Sequence, residues 1–252
     1  MSSDSINRFS DRAENYDRFR PGYPPGLVDF IRERIPSRED VVIAEIAAGT
    51  GIFTELLARW GNPVYVVEPN ADMRQLALRR LAAFKNCTFI EGTAESTGLP
   101  DGSVDLIVSA QAFHWFDAAK AKAEFKRIGH GNPLVAIVWN LRNTDSAFES
   151  GYESLIRRYS VDYLKVSQRK MKTADVSAFY APMKPEYRVF KYVDFLTFEQ
   201  LRGRTLSYSY MPDQSSPLTQ EVLASLRVLF EAHQRDGKVR LSYKSRLFIG
   251  NI

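Results

Sequence analysis

Two acidic residues and two glycines carry the strongest chemical signal in this sequence. In Val41-Val42-Ile43-Ala44-Glu45-Ile46-Ala47-Ala48-Gly49-Thr50-Gly51-Ile52-Phe53-Thr54, an apolar run ends in a turn whose glycines let backbone approach a ligand. A helix that opens there points its unpaired N–H groups into the same space. Glu68 closes a second apolar run, Val64-Tyr65-Val66-Val67, roughly 20 residues after the turn, where a carboxylate can accept from both hydroxyls of a ribose. The pattern predicts a nucleotide-type cofactor site. A dinucleotide fingerprint needs a third glycine where Thr54 stands, and Glu45 already ends the first strand.

Further candidates lie downstream. Gln111 follows an apolar run, at the crevice where open α/β sheets place ligands, and Phe113, His114 and Trp115 come next. A histidine there is either a proton acceptor near neutral pH or a packed, hydrogen-bonded side chain. Cys87 is the single cysteine, which leaves no internal disulfide and no cysteine metal cluster. His114, His130 and His233 lack metal-ligand spacing, so no metal site is expected.

Read from Glu45, the series Glu45, Ala47, Gly49, Gly51 resembles the first motif of class I S-adenosylmethionine (SAM) dependent methyltransferases, with Ala47 in place of the first glycine. The segment from Arg8 to Pro24 resembles the N-terminal stretch with which type 11 methyltransferases cover SAM. Glu68-Pro69-Asn70-Ala71-Asp72-Met73 resembles their second motif, and Gly92-Thr93-Ala94-Glu95 followed by Leu99 to Ile107 resembles their adenine loop and fourth strand. Ala110 to Phe116 and Val138-Trp139-Asn140 are similar to the subgroup that contains trans-aconitate methyltransferase.

The resemblance implies SAM as cofactor and S-adenosylhomocysteine as product. It implies that Tyr16 and Arg20 meet the methionine carboxylate, that Ala47, Gly49 and Gly51 pass close to the methionine, and that Glu68 and Pro69 hold ribose and adenine. Asn70, Met73, Thr93, Ala94, Glu95 and Gln111 complete the cofactor set. Thr93 replaces a usual acid, leaving the Ala94 N–H as the adenine contact. Glu45 faces the methionine ammonium or pairs with a basic side chain of the N-terminal segment. Phe113, His114, Trp115 and Asn140 are the implied acceptor residues, with His114 as general base or orienting group.

The elements that must position these residues alternate between strand and helix. Strands are predicted near 41–46, 64–67, 88–90, 104–109 and 134–139, then at 187–195 and 239–249. Helical stripes fall on Met73, Leu76, Ala77, Leu81 and Phe84, on Ala118, Ala121, Phe125 and Ile128, and on Val222, Leu223, Leu226 and Phe230. With the resemblance, this predicts an α/β fold: a Rossmann-like, seven-stranded, mostly parallel sheet closed by an antiparallel hairpin, with helices on both faces. At 252 residues a single domain is expected, with an N-terminal lid at 1–24 and a substrate-cap insertion at 144–185.

Composition narrows the class. Hydrophobic content of 44% and charged content of 25% are ordinary for a soluble globular protein. The balance of 34 Lys and Arg against 30 Asp and Glu, net +4, is far from a dedicated nucleic-acid binder. No apolar run reaches membrane-spanning length and the N-terminus has no signal-peptide pattern. The expected protein is a cytoplasmic monomer or dimer that methylates a small molecule, most naturally on a carboxylate or hydroxyl oxygen. A SAM-binding interaction protein without catalysis and a nicotinamide-dependent oxidoreductase would use the same strand, turn and helix.

Overall fold

Strands covered on both faces must be apolar at every position, and short runs of that kind form the centre of the molecule. The computed structural model describes residues 13–36, 40–160, 163, 172–213 and 215–252. Four apolar runs become β1 (Ile43–Ile46), β2 (Val64–Val67), β3 (Cys87–Ile90) and β4 (Val104–Ala110). They join β5 (Gly129–Arg142), β6 (Glu186–Leu196) and β7 (Val239–Asn251) in one sheet of order β3-β2-β1-β4-β5-β7-β6. Pairing is parallel from β3 to β5, whereas β7 runs antiparallel to both β5 and β6. This is the Rossmann-like architecture expected from the sequence, a seven-stranded, mostly parallel sheet closed by an antiparallel hairpin.

Two strand starts differ from the reading of the sequence by two residues or more. The ladder of β1 starts at Ile43 rather than Val41, because the Asp105 side chain accepts from the Val42 N–H at 2.9 Å. β5 starts at Gly129 rather than Leu134. Gly129 ends the preceding helix in an extended conformation (φ −71°, ψ 134°) and pairs at once with Val104, with a register shift before Leu106.

The helices are α1 (Ala13–Phe19), α2 (Pro25–Arg32), α3 (Ile52–Ala58), α4 (Ala71–Arg80), α5 (Ala118–Ile128), α6 (Ala147–Tyr159), α7 (Thr173–Tyr180), α8 (Phe198–Leu206) and α9 (Pro217–His233). α2 and α3 cover one face of the sheet with Leu27, Ile31, Phe53 and Leu57. α5 and α7 cover the other with Phe125, Ile128, Phe179 and Tyr180. A further core joins α6, α8 and α9 to the start of β7 through Tyr152, Ile156, Leu201, Leu226 and Leu241. The 144–185 segment therefore divides: α6 belongs to this further core, and α7 packs on the opposite face. Residues 161–162 and 164–171 of that segment, and 1–12 of the expected lid, lie outside the described residues.

α1 spans from α4 to α8 and so borders the carboxyl end of the sheet. Arg80 of α4 donates to the Asp17 carboxylate at 2.7 Å, and Arg204 of α8 donates from Nε to the Phe19 carbonyl at 2.6 Å. Gly203 makes the close approach possible, since a Cβ there would lie 2.3 Å from Phe19 Cδ2. Replacing a mid-helix glycine by alanine usually stabilises a helix by about 1 kcal/mol. Here the clash reverses the sign: Gly203→Ala should detach α1, seen as faster tryptic cleavage at Arg18 with the melting temperature unchanged or lower. A variant that melts higher and resists trypsin as the parent does would contradict this docking.

Candidate functional site

Strand order reverses between β1 and β4, whose connections leave toward opposite faces, so a crevice opens beyond their carboxyl ends. A cleft of about 850 Å³, measured out to its open mouth, occupies it. Its walls include Tyr16, Arg20, Glu45, Ala47, Gly49, Glu68, Pro69, Met73, Gln111 and Trp115, all singled out in the sequence. Tyr23, Thr50 and Phe53 also line it.

The turn after β1 forms the floor. Ala47, Gly49 and Gly51 all take left-handed backbone, with φ of 58°, 60° and 79°. For Ala47 that conformation costs roughly 1–2 kcal/mol relative to the right-handed one. Gln111, just past β4, does the same at φ 64°. Strained residues of this kind concentrate at functional sites. Gly51 does not face the cleft; it starts α3, and a Cβ there would lie 3.1 Å from Leu81 Cδ1.

Glu68 is buried at the end of β2, with Oε2 accepting from Gly49 N at 2.8 Å and Oε1 from Asn70 N at 2.9 Å. Asn70 in turn caps α4, its Oδ1 accepting from Met73 N at 2.9 Å, so its side chain is structural. Burial raises the Glu68 carboxyl above its usual range, against the pull of those two amides. Glu45, also buried, takes the hydroxyl proton of Thr54 as its hydrogen bond. Burial pushes its carboxyl up to about 8, the Thr54 hydroxyl opposing and the Glu68 charge adding. The residue that spoils a dinucleotide fingerprint thus holds the acid at the end of β1.

Arg20 reaches over the cleft with its guanidinium 4.2 Å from the Tyr16 ring centre and 4.8 Å from that of Tyr208. One amino group donates to Ser207 O at 3.2 Å, while Nε is buried with no hydrogen-bond partner. Arg142, at the end of β5, lies 4.7 Å from the same Tyr208 ring and donates to Glu153 at 3.0 Å. Arg142 and Tyr208 went unrecognised in the sequence. They stand 66 residues apart, and no linear motif joins them.

The remaining predicted residues sit around the cleft rather than on its wall. Thr93 and Ser96 close a tight turn through paired backbone bonds of 2.9 and 3.3 Å, and Ala94 is buried beneath it. Glu95 accepts from Asp117 N at 2.8 Å. Asn140 ties the N-terminal segment to the sheet: its Nδ2 donates to Gly22 O at 2.9 Å while its Oδ1 accepts from Ser245. Phe113 is core, packed edge-on to Phe179 at 4.8 Å. His114 lies behind Trp115, ring centres 4.7 Å apart, with Trp139 6.3 Å beyond and its Nδ1 buried without a partner. Burial, then the Arg20 cation, pushes its pKa down to about 4, so the ring is neutral at neutral pH.

The cleft can enclose an elongated polar ligand. Acids at Glu45 and Glu68 face a cation at Arg20, and the unpartnered Thr50 hydroxyl and Arg20 Nε still need partners. Those groups fit a nucleoside joined to an amino acid.

Comparison with known proteins agrees. Residues 44–136 match the family described as "Methyltransferase domain". An uncharacterised methyltransferase-like protein of Schizosaccharomyces pombe is 27% identical over 247 residues, 96% of this chain and 94% of that one. An uncharacterised methyltransferase of Mycobacterium tuberculosis is 36% identical over 135 residues, 54% of this chain and 53% of its own, so that alignment spans about half of the relative. In fold, the chain is similar to a phosphoethanolamine N-methyltransferase of Haemonchus contortus solved with S-adenosylhomocysteine (TM-score 0.55, 16% identity, 99% of this chain and 58% of that one). It is also similar to a structure from Anaeromyxobacter dehalogenans designated a type II methyltransferase (TM-score 0.68, 22% identity, 92% and 98%).

The Glu45 carboxyl gives the site a pH signature. Its pKa rises from 4.5 to about 8 on folding, so the folded state holds a proton that the unfolded state releases. Its contribution to stability is complete below the unfolded value, falls as pH climbs from 4.5 to about 8, and is flat above that. Urea melts from about pH 5 to about pH 9 should show this decline, and Glu45→Gln should flatten it. An equal slope in the variant would remove Glu45 as its source.

Proposed function

We propose that this chain, a SAM-dependent methyltransferase by its domain and its relatives, methylates a carboxylate oxygen of a small organic acid. The bound cofactor supplies an electrophilic methyl group on a sulfonium. The protein holds donor and acceptor in line and keeps water out, a contribution that can account for much of the acceleration.

The residues of the cleft suit these tasks. An ionised carboxylate has about four acceptor sites, so Glu68 retains capacity for two ribose hydroxyls beyond its two backbone donors. Arg20 presents a forked donor to the methionine carboxylate, and the rings of Tyr16 and Tyr208 keep it pointed there. Glu45 faces the ammonium, and Ala47 and Gly49 lie along the methionine. Pro69, Met73 and the 93–95 turn flank the adenine, with the Ala94 N–H as donor. Gln111 and Trp115 separate cofactor from acceptor.

The single observation that carries the carboxylate reading is the place of His114, which sits behind Trp115 and is not among the residues on the cleft wall. A general base works best with a pKa near the operating pH, and this ring has been pushed down to about 4 behind Trp115. A carboxylate is ionised at neutral pH and needs no base. His114 then backs Trp115 and shapes the acceptor pocket, with α6 and its partners bordering the far side as the substrate cap. The lone Cys87 fits a reducing cytoplasm, and no helix of the described residues is long and apolar enough to cross a membrane.

Two experiments test this reading. Losing two charge-assisted hydrogen bonds should weaken SAM binding by Glu68→Ala at least ~10-fold, measured by calorimetry on folded protein. Unchanged affinity would take Glu68 out of the cofactor site. With a panel of acids, phenols and quinones as acceptors, His114→Ala should raise KM for the best acid while kcat changes by less than ~10-fold and stays flat across neutral pH. A loss of ~100-fold or more in kcat, recovered at higher pH, would instead identify a hydroxyl acceptor and a basic His114.

A further inference from the structure

A second, much smaller pocket, about 220 Å³ measured out to its open mouth, lies under the start of α7, between that helix and the carboxyl end of β5. Trp139 of β5, Arg246 and Phe248 of β7, and Lys172, Thr173 and Val176 at the start of α7 line it. Its lining includes a buried donor that lacks an acceptor. Trp139 is 3% exposed, yet its Nε1 has no hydrogen-bond partner. A buried donor left in that state costs roughly 1–3 kcal/mol.

Arg246 stands directly opposite Trp139 in the β5–β7 ladder. The other cations along β7 have acids nearby: Arg240 lies 3.8 Å from Glu149, and Lys244 lies 3.9 Å from Asp145. Arg246 and the Lys172 ammonium are paired with no carboxylate of the described residues. The one acid on this end of α7, Asp175, turns back to accept from Lys172 N at 3.1 Å. Val176 and Phe248 make the rest of the wall apolar.

A forked cation, a buried indole N–H, an ammonium at the mouth and an apolar interior match one kind of occupant. We propose that this cavity binds the carboxylate of a small organic acid, with Arg246 and the Trp139 N–H as its donors and the short apolar body of the acid against Val176 and Phe248. The ring of Trp139 is 6.3 Å from that of His114, and His114 is 4.7 Å from Trp115 on the wall of the main cleft. An occupant would therefore settle the far end of a row of rings that ends in the cleft. Binding here requires neither cofactor nor turnover.

The chain has three tryptophans, so its indole N–H signals are few and separable in a nitrogen-15 correlation spectrum. Trp139→Phe identifies the Trp139 signal; if that variant fails to fold, Trp60→Phe and Trp115→Phe identify it by elimination. Titration with butyrate should move this signal in a saturable way, and the uncharged isostere butyramide should not. Arg246→Met, at a half-buried position, should weaken butyrate binding about 10-fold. The proposal is overturned if butyrate leaves the signal in place, if butyramide moves it equally, or if Arg246→Met binds as the parent does. Inorganic phosphate acting as strongly as butyrate would also overturn it and show an adventitious ion only.

Discussion

A buried carboxylate must be held by donors, and Glu68 meets that constraint in a way that sets the geometry of the cleft. Removing an ionised carboxylate from water costs several kcal/mol unless hydrogen bonds replace the solvent. Glu68 recruits Gly49 N from the turn after β1 and Asn70 N from the entrance to α4. Arg74, one turn into that helix, donates to the Glu68 carbonyl at 2.7 Å. One side chain thereby fixes the end of β2, the glycine turn and the first turn of α4 relative to one another. Met73, whose N–H the Asn70 cap holds, lies on the cleft wall.

The opposite wall is held by cations and rings. Tyr16, Arg20, Tyr208 and Arg142 alternate, so the N-terminal segment is joined through aromatic faces to the core formed by α6, α8 and α9. Contacts of this type give about 0.5–1 kcal/mol when exposed and about 2 kcal/mol or more when desolvated. Together with the Asp17 to Arg80 pair, the seat of Phe19 on Gly203 and the packing of Tyr16 on Met73 and Leu76, they hold α1 over the crevice. Elements held by few apolar contacts open at lower free energy than the sheet beneath them.

What the sequence disclosed follows the range of the interactions involved. β1, β2 and β4 were legible because doubly covered strands are largely apolar runs, β3 at the sheet edge from its short apolar run, and Glu45, Gly49 and Glu68 because their roles depend on spacing along the chain from one strand end to the next. α2 and α8 were passed over, although Pro25 at the first position of one and the Thr197 to Gln200 capping box of the other are local start signals. The start of β5 was obscured by Gly131 and Pro133, which read as a turn; the ladder absorbs them as an irregularity. His114 was placed toward the acceptor by its position after β4. The 3₁₀ turn Phe113–Trp115 points successive side chains about 120° apart, sending Phe113 to the core and Trp115 to the cleft with His114 between aromatic neighbours. The row of rings and cations joins residues from the N-terminus, β5 and the end of α8, and only the folded chain brings them together.

The left-handed backbones of Ala47 and Gln111 bear on how this protein could change over time. Each carries a conformational penalty that exists only in the folded state, and both border the same crevice. Selection for heat resistance would therefore find gains at these positions, because glycine or asparagine tolerates the conformation better. The same replacements would let the floor of the crevice sample neighbouring conformations and would alter the surface offered to a ligand. Durability and precision thus compete at two named residues, and a lineage that moved to a hotter habitat would have to recover its stability elsewhere to keep the site as it is.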